Sequence, residues 1–517
     1  MLDNKKAFTE EIQTKYATNG DFIILGNAIL NGDSVENTPI KLPLKMLNRH
    51  GLIAGATGTG KTKTLQTIAE SLSLKGIPTL LMDIKGDLSG IAAPGVTNAK
   101  IEERQAKIGI PFQAQAFPTE LFSISKEKGI RLKATVSEFG PVLFSKILGL
   151  NDTQSGIVSL IFKFCDDERL PLLDLEDFKR LIQYITNEGK ARVEKEYGKI
   201  SSTSTSTILR KVIELEQQGA DTFFGEYSFE VEDLLRKDAS GRGYVSIMKV
   251  TDIQDRPKLF STFMLSLLSE IYSTFPEVGD LEKPKLVIFI DESHLIFNEA
   301  SEALLNQIET IIKLIRSKGV GIFFCTQNPM DIPAPILGQL GLKVQHALRA
   351  FTAVDRKQIK LTADNYPLTD FYDTETLLTS MGIGEAAITV LTEKGTPAPL
   401  AHTLLCAPRS RMDILTDSEI DQIISSSSLT KKYNEVIDRE SAYEILNEKY
   451  AVKESDGEAK DIEDKVSRKS SREEKSTFEE AINSPIAKQV GRTLVTEIVR
   501  GILGVLGVST VQRKRRR

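Results

Sequence analysis

Residues 51–66 read GLIAGATGTGKTKTLQ, and this stretch decides the fold. A short apolar run gives way to alternating glycines, then to a lysine, a threonine and a segment with helical spacing. Gly55-Ala56-Thr57-Gly58-Thr59-Gly60-Lys61-Thr62 satisfies G-x-x-x-x-G-K-[ST], and the strand before it and helix after it are the context which that pattern requires. Backbone amides of such a loop converge at a helix N-terminus, where unpaired donors and the helix dipole both favour an anion. The expected ligands are ATP and Mg²⁺. Gly55, Ala56, Thr57, Gly58, Thr59, Gly60, Lys61, Thr62 and Lys63 form the expected nucleotide-binding segment, with Lys61 reaching the β and γ phosphates and the Thr62 hydroxyl on Mg²⁺.

Outward from the loop, TKTLQTIAESLSLKG carries apolar residues at helical spacing to a stop at Gly76, and IPTLLMDI reads as a second strand ending at Asp83. Strand, helix, strand predicts a parallel sheet with helices on its faces. Further buried strands are expected at 243–250 (GYVSIMKV), 285–291 (KLVIFID) and 319–327 (GVGIFFCTQ), with helices over 256–275 and 299–317. The predicted class is α/β, a doubly wound and mainly parallel P-loop NTPase.

Hydrolysis needs more than a phosphate cradle. In Leu286-Val287-Ile288-Phe289-Ile290-Asp291-Glu292, an apolar strand delivers Asp291 to its carboxyl end, where open α/β sheets place ligands and where a carboxylate can hold Mg²⁺. Glu292 is the candidate to polarise the attacking water; the alternative is that DESHLIF caps a helix. The strand at 319–327 ends in Thr326 and Gln327, and Gln327 is either a sensor of the γ-phosphate and water or a structural amide before Pro329. Positive charge for the transition state has two candidates, Arg316 and Arg349, although the residues alone favour a solvated helix position for either. Asp83, Lys85 and Asp87 in MDIKGDLSG follow the second strand and read as well as a charged turn; His50 and His294 read as packing or hydrogen-bonding residues.

Composition bounds the remainder. At 517 residues with 40% hydrophobic and 26% charged content the chain is long enough for more than one core. Cys165, Cys325 and Cys406 lack CxxC spacing, which argues against a disulfide framework or zinc knuckle. MLDNKKAFTEEIQ is too polar for a signal peptide and no apolar run reaches ~18 residues, so a cytoplasmic protein without an integral membrane segment is expected. A net charge of −5 leaves any nucleic-acid contact to a local basic groove.

The expected organisation is a short β-rich lead-in (1–50), the first part of the NTPase core (51–99), a mainly helical insertion (100–240), the second part of the core (241–410), a helical extension (411–450), a charged flexible linker (451–484) and a C-terminal amphipathic helix with a basic RKRRR tail (485–517).

Taken in order, LPLKMLNRHGLIAGATGTGKTKTLQ, DIKGDLSG, LVIFIDESHLIF, GVGIFFCTQNPMDIP with LGQLGLKVQHALRAF, and DRESAYEIL resemble the bacterial branch of the HerA-like ATPases, relatives of the FtsK DNA translocases, over about residues 20–450. The resemblance implies a RecA/FtsK-like homo-oligomeric ring, usually hexameric, with the catalytic glutamate on an added central strand, translocation on double-stranded DNA and, in several relatives, a nuclease partner. It matches Lys61 and Thr62 to the phosphate and Mg²⁺ residues, Asp291 and Glu292 to the metal and water residues, Gln327 to the polar sensor and Arg316 to the inter-subunit arginine. HerA proper carries a β-barrel ahead of the motor, for which the roughly fifty residues before this loop leave little room. Two other readings are a nucleotide-gated scaffold that assembles an effector such as a nuclease, and a kinase. The latter is disfavoured by the lack of an acceptor site and by a carboxylate pair expected on a strand next to that of the P-loop.

Overall fold

The computed structural model describes residues 2–253, 256–279, 281–297, 302–435 and 439–448. The expected linker at 451–484 and the C-terminal helix and basic tail at 485–517 lie outside the described residues.

Twelve strands among the described residues form one sheet: β1 (Phe22–Leu30), β2 (Asp33–Pro43), β3 (Gly51–Ala54), β4 (Thr79–Asp83), β5 (Thr119–Ser123), β6 (Ile130–Arg131), β7 (Val245–Lys249), β8 (Leu286–Ile290), β9 (Val320–Thr326), β10 (Leu342–Gln345), β11 (Glu385–Thr389) and β12 (Ala401–Leu405). Their spatial order is β2-β1-β12-β11-β10-β3-β9-β8-β4-β7-β5-β6. From β10 to β6 every pairing is parallel, whereas β11, β12, β1 and β2 form an antiparallel flank. Every residue of β3, β4, β8 and β9 is buried, which is why these strands read as unbroken apolar runs instead of alternating ones. Side chains such as Ile53, Leu81, Phe289 and Phe323 fill one face of the sheet, where the Phe289 and Phe323 ring centroids lie 5.0 Å apart.

Three features depart from the sequence expectations. The acidic pair does not follow a strand adjacent to that of the P-loop: β9 lies between them, with Gly51 opposite Phe323 on one side and Leu286 opposite Val320 on the other. A crossover helix can carry the chain past one strand position, so sequence order alone does not reveal neighbours. The region 100–240 is not helical throughout, because it contributes β5 and β6 to the end of the sheet, β5 pairing with β7, Thr119 opposite Val245. The lead-in is more than strands. A helix, Leu2–Lys15, precedes the β1–β2 hairpin, whose turn is made by Asn31 (φ 54°) and Gly32 (φ 88°), the left-handed pair that a tight hairpin needs.

The chain divides into two compact units. The first, 1–133 with 215–437, contains the sheet. The second gathers 134–214 with the described residues 439–448. Its helices Val136–Ile147, Asp152–Glu168 and Leu175–Thr186 each begin with a reciprocal capping box, at Thr135/Glu138, Asn151/Gln154 and Asp174/Asp177. Phe144 and Phe178 meet edge to face at 4.8 Å in its core. Asp177 is buried there, and burial raises its pKa despite bonds accepted from the amides of Leu173 and Tyr443, both 2.8 Å.

Candidate nucleotide site

β3, β9, β8 and β4 run parallel, so the loops leaving their carboxyl ends lie along one edge of the sheet. The glycine loop leaves β3. Its first turn is stitched to neighbouring strand ends: Gly55 N–H donates to Thr326 O (3.2 Å) and Ala56 N–H to Ala347 O (2.9 Å). Gly55 has φ 150° and lies so close to β10 that a Cβ there would sit 2.5 Å from His346 Cβ, so no other residue fits. Gly60, at φ 114°, turns the chain into the helix Lys61–Leu74.

Lys61 is only 6% exposed, and its Nζ donates to Gly55 O (2.8 Å) and Ala56 O (3.3 Å). Burial lowers its pKa, and the nearby Lys85 ammonium lowers it further, while Glu292 and Asp291 oppose the shift. Thr57 and Gly58 are exposed at the loop tip, and Thr62 is half-buried in the first helical turn.

Asp291 and Glu292 follow β8 and are nearly buried, at 3% and 5% exposure. Burial pushes Asp291 up to about 6, with Lys85 opposing and Glu292 adding to the rise. Its Oδ2 is buried without a hydrogen-bond partner. Glu292 sits at φ 42°, a left-handed conformation unfavourable for a side chain of its size and held only by its surroundings. Gln327, at the tip of β9, connects the two halves: its Nε2 donates to Glu292 Oε1 (3.4 Å), and its Oε1 accepts from the Thr57 hydroxyl (3.4 Å).

Lys85, which the sequence left as part of a charged turn, stands 2.5 Å from Glu292 Oε1. Burial favours the protonated glutamate, but Lys85, Gln327 and His294 outweigh it and lower the Glu292 pKa. The turn carrying Lys85 is shaped by Asp83, whose carboxylate accepts from the amides of Gly86 (2.7 Å), Asp87 (3.2 Å) and Leu88 (3.1 Å). Burial moves Asp83 up to about 7 in spite of these bonds. His346 also escaped the sequence reading. It lies beneath the loop with Nε2 2.9 Å from the Thr64 hydroxyl, and burial lowers its pKa to about 4, leaving it neutral.

Other candidates lie elsewhere. His50 accepts from Ile322 N–H at Nδ1 (3.0 Å), so its proton is on Nε2, which donates to Ile312 O (2.8 Å); burial lowers its pKa to about 4. Arg316 precedes β9 at the sheet edge opposite the loop and adds to the His50 shift. Arg349 is exposed and donates to Thr379 O (3.4 Å). The Lys63 ammonium is turned away from the loop onto Met412 O (2.5 Å) and Gln66 Oε1 (3.2 Å).

Lys63 belongs to a seam joining the P-loop helix to residues 409–412. Glu70 accepts from the amides of Arg409 (2.7 Å) and Ser410 (3.1 Å) and from the Ser410 hydroxyl, and Gln66 donates to Ser410 Oγ (2.7 Å) and Arg411 O (2.9 Å). Glu70 is 1% exposed. Glu70→Ala would strand these donors away from water, a cost of about 2–3 kcal/mol. The expected result is a thermal midpoint several degrees lower by calorimetry, with Glu70→Gln losing less.

The residues present fit a metal-bound nucleotide: the loop offers a helix N-terminus and a buried lysine, and Asp291 faces it with an unpartnered buried oxygen.

A family model described as Helicase HerA-like C-terminal matches residues 28–514. The chain belongs to the HerA-like helicase family. It is 21% identical over 387 residues to the DNA double-strand break repair helicase HerA of Saccharolobus solfataricus, covering 74% of this chain and 69% of that one. To a probable helicase of Methanocaldococcus jannaschii it is 25% identical over 384 residues, 68% of each chain. Among solved structures it is similar to the bacterial conjugative coupling protein TrwB lacking 70 N-terminal residues (TM-score 0.51, 13% identity, 79% of this chain and 94% of that) and to TrwB in complex with ADP and Mg²⁺ (TM-score 0.50, 14% identity, 77% and 98%). These likenesses establish a P-loop ATPase fold, and family membership makes this chain an ATPase of the helicase and translocase superfamily. No helix among the described residues is long and apolar enough to cross a membrane.

Proposed function

We propose that the chain is a Mg²⁺-dependent ATP hydrolase that works as a homo-oligomeric ring, a hexamer, and couples γ-phosphate loss to movement on double-stranded DNA. The observation that carries the catalytic half is the connected series Thr57, Gln327, Glu292, Lys85, which joins the loop tip to the acidic pair across three strands. Loop amides and Lys61 bind and orient the triphosphate. Thr62 and Asp291 are the residues that would hold Mg²⁺, which when bound supplies charge neutralisation at the phosphate oxygens. Glu292 orients water and accepts its proton as the water oxygen bonds to the γ-phosphorus and the bond from that phosphorus to the β–γ bridging oxygen breaks, leaving ADP and phosphate, and Gln327 responds to loss of that phosphate.

The position of Arg316 supports the ring. It and Gln327 lie beyond opposite ends of β9, a seven-residue strand, and are therefore separated by roughly 20 Å or more. In the proposed ring Arg316 serves a neighbour's phosphate. Arg316→Ala and Glu292→Gln chains should each turn over slowly, and mixing them should raise phosphate release several-fold, because a mixed ring pairs an intact glutamate with an intact arginine. No rise on mixing, with mixed oligomers verified by mass, would place Arg316 outside catalysis.

The DNA half rests on family membership and on the relative named as a double-strand break repair helicase. Duplex DNA is expected to stimulate ATP turnover at low salt and to lose that effect steeply as salt rises. Phosphate release without any response to DNA would favour the second reading, a nucleotide-gated scaffold for an effector such as a nuclease. Phe351 (87%), Val354 (64%) and Leu368 (100%) are exposed apolar side chains that such a partner would cover.

A further inference from the structure

We propose that Lys85 is a positioning residue that fixes the Glu292 carboxylate for hydrolysis, an inference resting on the role given to Glu292 above. The carboxylate is held unequally. Oε1 is taken from one side by Lys85 Nζ (2.5 Å) and from the other by Gln327 Nε2 (3.4 Å). Oε2 lies 3.3 Å from His294 Nδ1 but is buried without a hydrogen-bond partner. One oxygen is therefore fixed by two donors while the other carries no hydrogen bond.

The fixing group has the rigidity the task needs. Lys85 projects from the turn after β4, the strand beside β8, and three amide bonds to the buried Asp83 hold that turn. Opposite it, Glu292 follows β8 in a left-handed backbone conformation, φ 42°. Gln327 alone, at 3.4 Å and with a neutral amide, is a weak restraint beside the short ion pair. Without the ammonium, Oε1 keeps only the long Gln327 bond and the carboxylate is free to turn. A small displacement of a reacting group can cost about 100-fold in rate.

The test uses the full chain with Lys85→Met, Lys85→Arg, Glu292→Gln and the Lys85→Met/Glu292→Gln double variant, measuring phosphate release and ADP affinity. Lys85→Met is expected to lower kcat by about 10- to 100-fold while the KM for Mg-ATP and the ADP affinity stay within about threefold. Lys85→Arg should recover most of the rate, and the double variant should be no slower than Glu292→Gln. The inference is overturned by a Lys85→Met rate that is unchanged or raised. It is also overturned by a loss carried by KM and ADP affinity, which would make Lys85 a nucleotide contact. Should Lys85→Met fail to fold, Lys85→Arg and Lys85→Gln decide: the arginine must retain most of the rate and the glutamine must lose it at unchanged affinity. Wild-type turnover in Glu292→Gln would instead remove the glutamate assignment itself.

Discussion

Glu292→Gln should lower kcat by about 10²- to 10⁴-fold, the usual contribution of a positioned general base, while nucleotide binding stays close to wild type. The amide is nearly isosteric and still accepts from Lys85 and Gln327 through its carbonyl oxygen, so packing at the end of β8 is preserved. What disappears is the capacity to take a proton from water. Single-turnover phosphate release together with equilibrium binding of ADP separates the two quantities. A variant that hydrolyses normally would show that the acidic pair serves a structural purpose and that the base lies elsewhere.

Lys61→Ala should act earlier, on binding. The ammonium is buried beside the loop, where Gly55 O and Ala56 O hold it in place. A charge-assisted contact to phosphate is worth about 1.5–3 kcal/mol, so removing it should weaken ATP binding by about 10- to 100-fold. Turnover falls as well, because the same group faces the transferring phosphate. Since alanine also frees the two loop carbonyls, Lys61→Met, which keeps the buried stem, is the companion variant. If both bind ATP as tightly as wild type, the triphosphate does not sit in this loop.

How much of this was legible in the chain depends on how local each signal is. The P-loop is contiguous, and a strand, the loop glycines Gly55, Gly58 and Gly60, Lys61 and a helix can be read from 51–66 without reference to anything else. Asp291, Glu292 and Gln327 are legible for a related reason: each terminates a run of residues so apolar that it must be a buried strand, and strand ends are where an α/β sheet gathers its chemistry. Lys85 was not separable from a solvated turn, because its partner follows the neighbouring strand β8, more than 200 positions later. His346 lies under the loop only because β10 pairs with β3. The seam between Glu70 and residues 409–410 joins segments 339 and 340 positions apart, with no periodicity to announce it. The placement of β9 between β3 and β8, and of β5 beside β7, belongs to the same class of information, fixed by packing across the sheet and not by any one segment.

The central claim is that the loop after β3 and the carboxylates after β8 serve a single metal-bound nucleotide. Electron paramagnetic resonance of Mn²⁺ titrated into the full chain in the presence of ADP tests it most directly, with Asp291→Asn and Lys61→Met measured alongside. The account predicts a single tight Mn²⁺ per wild-type chain that requires ADP, a site weakened by about tenfold or more in Asp291→Asn although ADP still binds, and both ligands weakened together in Lys61→Met. Mn²⁺ bound with unchanged affinity and spectrum in Asp291→Asn would contradict it.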